Sequence, residues 1–178
     1  DDRIRWDPAL IRKYDVPGPR YTSYPTALQF TDSFGAREYE QYLLERPPVI
    51  GPLSLYVHIP YCRNICYYCA CNKIVTRDAA VAERYIVALE KETALLSRHF
   101  DRRRRVTQLH WGGGTPTFLS PAELTRLMHG LAKHFSLIDA PEREYSIEID
   151  PRSVDTGTIA LLKGLGFNRV SMGIQDFD

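Results

Sequence analysis

From Leu53 onward the chain alternates strand-like runs with helical patterns, and this alternation limits the fold more than any other feature. Four runs rich in apolar, β-branched and aromatic residues are typical of strands, at Leu53–Ile59, Val106–Trp111, Glu144–Ile149 and Asn168–Ile174. Because a strand, a crossover helix and the next strand form a right-handed unit, the runs should pair in parallel. The sequence therefore predicts an α/β fold of parallel βα repeats, as part of a barrel or of an open sheet.

Local signals place the helices between these strands. Asp78 is predicted to cap a long helix, whose apolar face is Val81, Tyr85, Ala88, Leu89 and Leu95 or Leu96. Ser120-Pro-Ala-Glu123 is a capping box, and the helix that it opens is predicted to bury Leu124, Leu127, Met128, Leu131 and Phe135. A third helix is expected from near Asp155 to Leu165, where Gly166 terminates it.

Residues 1–52 lack this alternation. Asp7 and Pro8 predict the start of a short helix that ends at Tyr14, and a second helix is expected from Ala36 to Glu45. Between them three prolines favour an extended segment over Val16–Thr26. We predict that residues 1–52 form an extension that wraps a barrel whose first half is residues 53–178. The chain lacks an initiator Met and stops soon after the fourth strand, so both ends are expected to be cut.

Composition excludes several classes of protein. A hydrophobic content of 44% excludes a disordered chain. A net charge of +1 gives no field that would attract nucleic acid or an anionic membrane. No run approaches the roughly 18 apolar residues of a membrane span. We therefore expect a cytoplasmic protein with neither a nucleic-acid nor a membrane partner.

All four cysteines lie between Cys62 and Cys71, with the spacing Cys-x3-Cys-x2-Cys-x-Cys. Disulfides across such short spacings would be strained, and without an export signal a metal or cluster site is the better interpretation. Three thiolates on one tight loop suit a [4Fe–4S] cluster, one iron of which would keep an open position. Zinc is the main alternative, but a structural zinc site usually joins two separated pairs of ligands, and the chain has no second pair.

Unusual residues follow each predicted strand, where the carboxyl ends of a parallel sheet gather the working groups. The cysteine loop follows the first strand, and Gly112-Gly-Gly114 follows the second. Glu148 lies near the end of the third, and Gln175 just past the fourth. The glycines could form only a tight turn, or could let bare backbone approach a ligand. Glu148 could be a solvated carboxylate or the partner of a ligand ammonium, and Gln175 could bond a ribose hydroxyl.

Two other features are predicted to be structural. Arg102–Arg105 follows the long helix, where cations favour the negative end of the helix dipole. His58 and His110 lie within strands and are predicted to be packing residues rather than ligands.

The cysteine loop resembles the radical SAM superfamily, whose signature is Cys-x3-Cys-x2-Cys with an aromatic residue before the last cysteine, here Tyr68. More narrowly, the chain from about Leu10 to Asp178 resembles the oxygen-independent coproporphyrinogen III oxidases. The similar segments are Tyr14–Thr26, Tyr56–Pro60, Cys71-Asn72, His110–Pro116, Ser146–Pro151 and Ser171–Phe177. The resemblance implies the partial TIM-like barrel of radical SAM enzymes.

The resemblance also implies a set of cofactor ligands. Cys62, Cys66 and Cys69 would hold a [4Fe–4S] cluster, whose open iron binds the amino and carboxylate groups of S-adenosylmethionine (SAM). The residues implied to line the SAM site, which can hold a second SAM nearby, are Tyr56, Tyr68, Gly113, Gly114, Thr115, Glu148 and Gln175. Cys71 is not a cluster ligand in this scheme.

The activity implied is the oxidative decarboxylation of two propionate side chains of coproporphyrinogen III to vinyl groups. It yields protoporphyrinogen IX for oxygen-independent haem biosynthesis. Its partners would be the porphyrinogen and a low-potential electron donor such as flavodoxin or ferredoxin, and the enzyme is expected to be a monomer. Residues 1–178 alone are expected to be inactive, because the later strands have no counterpart here.

Two alternatives stay open. A haem-binding chaperone of the same superfamily resembles the enzyme across the cysteine loop. Such carriers usually lack the Pro-Gly-Pro-Arg-Tyr-Thr-Ser-Tyr-Pro leader and the Cys-x-Cys-Asn ending that this chain has. A zinc-stabilised binding module is the alternative from another class of protein.

Overall fold

The computed structural model describes residues 6–16, 26–45, 51–66, 69 and 71–173. The chain divides into two compact units, Asp1–Glu45 and Arg46–Asp178. The predicted assignment of residues 1–52 to an extension around a barrel stays a prediction.

Among its described residues the first unit contains two α-helices, both where the sequence predicts them. Helix α1 spans Pro8–Tyr14, and the Asp7 carboxylate caps it by accepting the backbone N–H groups of Ala9 and Leu10 at 2.9 and 3.1 Å. Helix α2 spans Ala36–Glu45 and buries Leu43. Most of the predicted extended segment between them, residues 17–25, lies outside the described residues.

The second unit is built on a parallel sheet, as predicted. Its long strands are β1 (Leu53–Ile59), β4 (Arg105–Gly113), β6 (Glu144–Ile149) and β7 (Arg169–Met172), which lie side by side in this order. Short strands β2 (Tyr61–Cys62) and β3 (Ile74–Val75) pair with each other, and β5 (Ser136–Leu137) pairs with β4. The helices are α3 (Ala80–Leu96), α4 (Pro121–His134) and α5 (Thr156–Gly164). The predicted α/β fold of parallel βα repeats is confirmed.

The two faces of the sheet differ in polarity. On one face Ile59, Trp111 and Ile147 are fully buried, in one core cluster with Ile86 of α3 and Leu124 of α4. The other face carries polar and aromatic side chains that are half-buried or exposed. β1 was predicted to be a buried strand, and this prediction is correct for one face only. The polar face is the one on which a site can form.

Helix α3 differs from its prediction in two respects. Its cap position is Ala79, although the Asp78 carboxylate still accepts the N–H of Ala80 at 2.9 Å. The buried stripe is Ala82, Ile86 and Thr93, with Val81, Tyr85 and Leu89 half-buried beside it, while Ala88 and Leu95 are exposed. Two adjacent stripes of this helix are apolar, so periodicity alone could not predict which of them is buried.

Helices α4 and α5 begin and end as the sequence predicts. The capping box of α4 has both of its hydrogen bonds, and all five predicted apolar residues are buried. Asp155 caps α5 by accepting the N–H of Thr158 at 2.7 Å, and Gly166 follows the helix at a φ of +97°. Within the part of the chain that the structure describes, no helix is both long and apolar enough to cross a membrane.

Candidate cofactor site

The polar face of the sheet gathers residues from three neighbouring strands. The register pairs Tyr56 with His110 and His110 with Ser146, so these three form a row across β1, β4 and β6. His58 pairs with Gly112 one step nearer the carboxyl ends, and Glu148 lies two residues beyond Ser146 on the same face. Just beyond these residues, toward the carboxyl ends of the strands, the cysteine loop and the glycine turn begin.

One hydrogen-bonded chain ties β1 to the end of the cysteine loop. His58 Nε2 lies 2.9 Å from the carbonyl oxygen of Asn72, and His58 Nδ1 lies 3.0 Å from the hydroxyl of Tyr56. A carbonyl only accepts, so Nε2 carries the proton, and in the neutral ring Nδ1 accepts from the Tyr56 hydroxyl. Burial, and then the nearby Glu148 carboxylate and Cys71, raise the pKa of Tyr56, which keeps this phenol protonated.

A second chain joins β4 to β6. His110 Nδ1 lies 2.6 Å from the Ser146 hydroxyl, and His110 Nε2 lies 3.3 Å from Glu148 Oε1. The other carboxylate oxygen, Oε2, accepts the backbone N–H of Gly113 at 3.1 Å. The Tyr56 ring stacks on the His110 ring with centroids 5.7 Å apart. The Glu148 side chain is 40% exposed, so its carboxylate can still accept a ligand's ammonium or hydroxyl group.

The glycine turn presses against the chain that leads into the cysteine loop. The N–H groups of Gly114 and Thr115 donate to the carbonyls of Ile59 and Tyr61 at 2.8 and 2.9 Å. A Cβ on Gly114 would lie 2.7 Å from the carbonyl carbon of Pro60, and Gly113 has a φ of +109°. The turn thus requires glycine at both positions, for close approach at one and for backbone conformation at the other.

The cysteine loop is fixed at both ends. Ile74 N–H donates to the Pro60 carbonyl at 2.7 Å, and Thr76 N–H donates to the Cys62 carbonyl at 2.9 Å. Within the loop, Cys69 N–H donates to the Cys66 carbonyl at 3.1 Å. The Thr115 hydroxyl donates to Cys62 Sγ at 3.5 Å, so the glycine turn and the first cysteine are in direct contact.

The four thiols have different surroundings, and none forms a disulfide. Cys62 is buried, Cys66 and Cys69 are half-buried, and Cys71 is exposed as a residue. The backbone N–H of Cys71, and then the Lys73 ammonium, lower the pKa of Cys69 against an opposing effect of burial. Burial of its thiol and the neighbouring Cys69 raise the pKa of Cys71. The thiolate is the form that binds metals.

The arrangement of the cysteines fits an iron–sulfur cluster. Across the described residues, no three His, Cys, Asp or Glu side chains converge on a position where one ion could bind. Cys62, Cys66 and Cys69 are free thiols on one loop, and thiolates bind the separate irons of a [4Fe–4S] cluster.

A cavity of about 260 Å³ lies beside the loop, with Arg63, Thr115 and Arg152 in its lining. The Arg63 guanidinium lies 5.0 Å from the centroid of the Phe118 ring. Arg152 forms a two-point ion pair with Asp150, at 2.9 and 2.8 Å. That carboxylate, and to a smaller extent the Cys66 thiol, raises the pKa of Arg152.

Comparison with known proteins agrees with this geometry. The family model of the radical SAM superfamily matches residues 56–178, and the chain belongs to that superfamily. Its relatives there are oxygen-independent coproporphyrinogen III oxidases. The protein of that name from Pseudomonas aeruginosa is 55% identical over 177 residues, which are 99% of this chain and 38% of the relative. The one from Mannheimia haemolytica is 47% identical over 148 residues, which are 83% of this chain and 98% of the relative.

A solved structure agrees as well. The coproporphyrinogen III oxidase of Escherichia coli, described as a radical SAM enzyme, matches with a TM-score of 0.80 and 47% identity over 98% of this chain and 38% of that one. The chain thus spans well under half the length of that structure and of the Pseudomonas relative.

The structure brings most of the predicted site residues together. Gly113, Gly114, Thr115 and Glu148 lie at the carboxyl ends of β4 and β6 or just past them, next to the loop that carries Cys62, Cys66 and Cys69. Tyr56 lies in the middle of β1, on the same face of the sheet. Tyr68 and Gln175 lie outside the described residues, and their roles stay predictions.

The sequence analysis assigned no role to Ser146 and predicted His58 and His110 to be packing residues rather than ligands. Both rings do lie against Tyr56, but they also form hydrogen bonds that the sequence analysis did not predict. Both histidines belong to the hydrogen-bonded chains of the site. A signal was present, because each strand carries polar or aromatic residues two apart near its carboxyl end. Such a spacing places both on one face of a strand.

Proposed function

We propose that this chain forms part of an oxygen-independent coproporphyrinogen III oxidase, an oxidoreductase that decarboxylates two propionate side chains of coproporphyrinogen III to vinyl groups. The observation that carries the proposal is the meeting of the cysteine loop, the glycine turn and Glu148 at one edge of the sheet. Membership of the radical SAM superfamily and 55% identity to a relative of that name support it. The product would be protoporphyrinogen IX, used in oxygen-independent haem biosynthesis.

In this proposal Cys62, Cys66 and Cys69 hold a [4Fe–4S] cluster, and Cys71 is not a ligand. When bound, the cluster and SAM supply the one-electron chemistry that removes hydrogen from the propionate side chain. Glu148 orients SAM by accepting hydrogen bonds from its ammonium or hydroxyl groups. Gly113 and Gly114 would line the SAM site with their backbone, and the Thr115 hydroxyl would support the Cys62 sulfur.

The remaining residues and partners complete the proposal. Tyr56 and Tyr68 would contact SAM with their rings, and Gln175 would bond a ribose hydroxyl. A second SAM would bind nearby. A low-potential donor such as flavodoxin or ferredoxin would deliver electrons in a reducing compartment, the cytoplasm, where unpaired thiols persist. The protein would act as a monomer, with residues 1–52 wrapping the barrel.

The test is electron paramagnetic resonance of the intact protein, reconstituted and reduced without oxygen, before and after addition of SAM. We expect about four iron and four sulfide per protein and a change in the cluster spectrum when SAM is added. Stoichiometric zinc without iron would contradict the cluster. Stable haem binding without propionate decarboxylation would instead favour the chaperone.

Cysteine substitutions test the ligand assignment. Cys62→Ser, Cys66→Ser and Cys69→Ser should each abolish cluster assembly, measured as bound iron and absorbance near the cluster band, because each removes a thiolate from one iron. Cys71→Ser is the matched control on the same loop and should keep the cluster. Loss of the cluster in Cys71→Ser would overturn the assignment of three ligands.

A further inference from the structure

We propose that His110 is a positioning residue that holds the Glu148 carboxylate in its SAM-binding orientation. The inference rests on the proposed function, since it assigns a role within the same site. Neither the cysteine signature nor the glycine turn includes this histidine. It lies one strand from Glu148 and is bonded on its other side to Ser146.

The protons of this chain can be assigned from its partners. Ser146 Oγ lies 2.6 Å from His110 Nδ1 and 3.5 Å from the carbonyl oxygen of Leu109. If the hydroxyl donates to Nδ1, the neutral ring carries its proton on Nε2. The contact with Nδ1 is much shorter than the contact with the Leu109 carbonyl, so we assign the hydroxyl proton to the bond with Nδ1. Nε2–H then donates to Glu148 Oε1 at 3.3 Å.

The His110 ring has little freedom to leave this position. Its Nδ1 atom is bonded to Ser146, and one ring face stacks on Tyr56 with an interplanar angle of 16°. The carboxylate of Glu148 is held at two points, by Nε2–H on Oε1 and by Gly113 N–H on Oε2. Two-point contact fixes the rotation of the carboxylate plane, so the free lone pairs keep a defined direction.

The surroundings of Gly112 independently support the contact between His110 and Glu148. A Cβ at this position would lie 2.8 Å from His110 Nε2 and 3.0 Å from Glu148 Cδ. Its φ is not in the left-handed region, so steric room rather than conformation requires glycine here. The first glycine of the triplet thus leaves the space in which His110 and Glu148 meet.

The experiment measures the dissociation constant of SAM, by titration of the reduced-cluster spectrum in the intact reconstituted protein. His110→Gln places an amide N–H near the Nε2 position and should bind SAM within about threefold of the unsubstituted protein. His110→Asn keeps a group near Nδ1 only, and His110→Phe keeps only the ring stacked on Tyr56. Both should bind at least about tenfold more weakly, or about 1.4 kcal/mol. His129→Asn, at an exposed position of α4, is the control.

The order of the affinities decides the inference. Rescue by Gln but not by Asn or Phe, at equal iron content, supports positioning through Nε2. Unchanged affinity in all three, or a Gln variant as weak as Phe, overturns it. If the His110 variants lose the cluster, the SAM affinities of Ser146→Ala and Gly112→Ala decide instead. An unchanged SAM affinity in both of these variants overturns the inference. If the unsubstituted protein gives no response to SAM, the proposed function itself fails.

Discussion

At the scale of single residues, Gly114 is the point where the glycine turn comes closest to the cysteine loop. Because a Cβ there would meet the Pro60 backbone at 2.7 Å, Gly114→Ala must push the two segments apart. We expect it to lower the free energy of unfolding by about 1–3 kcal/mol, as overpacking does, and to reduce the retained cluster. The measurements are thermal unfolding followed by circular dichroism, and bound iron.

Gly164→Ala is the matched control for that substitution. Gly164 ends α5, and nothing lies within 4 Å of the position of its added Cβ. Alanine is the better helix former by about 0.5–1 kcal/mol, so this variant should unfold at the same or a higher temperature. A Gly114→Ala protein as stable and as rich in iron as Gly164→Ala would show that the close approach is not required.

At the scale of single residues, the sequence predicts some features of the candidate site and not others. It predicted Glu148 and the cysteines to be site residues because they follow the ends of neighbouring strands, although Glu148 alone could be a solvated carboxylate. It predicted only packing for His58 and His110, because a histidine inside an apolar run is compatible with packing, and it did not predict their hydrogen bonds. Only the strand register shows that His110 lies between Tyr56 and Ser146. Register depends on long-range pairing, which no local pattern encodes.

At the scale of elements, local sequence signals predicted where helices begin and end better than they predicted which face of a helix is buried. The capping box of α4 and the Asp155 cap of α5 are short-range signals and were correct. The predicted face of α3 was partly correct, since Val81, Tyr85 and Leu89 pack against the core. The most buried stripe lies beside them, because the packing of α4 and the sheet selects among the apolar stripes. Arg102–Arg105 was correctly predicted to be structural, since these side chains bond to Lys133, Asp101, Gly51, Pro52 and Glu142.

The contact between α3 and α4 predicts a dependence of stability on pH. Arg126 bonds both oxygens of Glu90 at 2.7 Å, which lowers the pKa of Glu90 below its ordinary value of 4.5 against a smaller opposing effect of burial. A carboxyl whose pKa is lower in the folded state stabilises that state above its unfolded pKa, and this contribution is lost as the pH falls through the lowered value.

Glu90→Gln should therefore be less stable than the unsubstituted protein near neutral pH, and the difference should shrink below a pH of about 4.5. Urea unfolding at several pH values measures this. The loss should be modest, because a third of the Glu90 side chain is exposed and solvent screens the pair. A difference that is constant with pH would mean that the lowered pKa of Glu90 contributes nothing to stability.

At the scale of the whole molecule, the parallel pairing of the strands follows from the alternation of runs in the sequence, which left a barrel and an open sheet as alternatives. What the alternation could not predict is the polarity of the two faces, because a run of apolar and aromatic residues suits a strand covered on both sides. The open polar face holds the site. Among the described residues, β7 pairs only with β6, and Val170 and Met172 are about half exposed.

This open edge leads to a prediction about hydrogen exchange. Successive amides of a parallel strand point to alternate neighbours, so half of the β7 amides have no strand partner in the described residues. In a chain of residues 1–178 these amides should exchange at least about tenfold faster than those of β4, which has strands on both sides.

In a protein as long as the Pseudomonas relative the β7 amides should become protected, because a further parallel strand would accept their hydrogen bonds. The β4 amides, expected to be protected in both proteins, are the control. Equal protection of β7 in both would mean that its edge is covered from within these 178 residues.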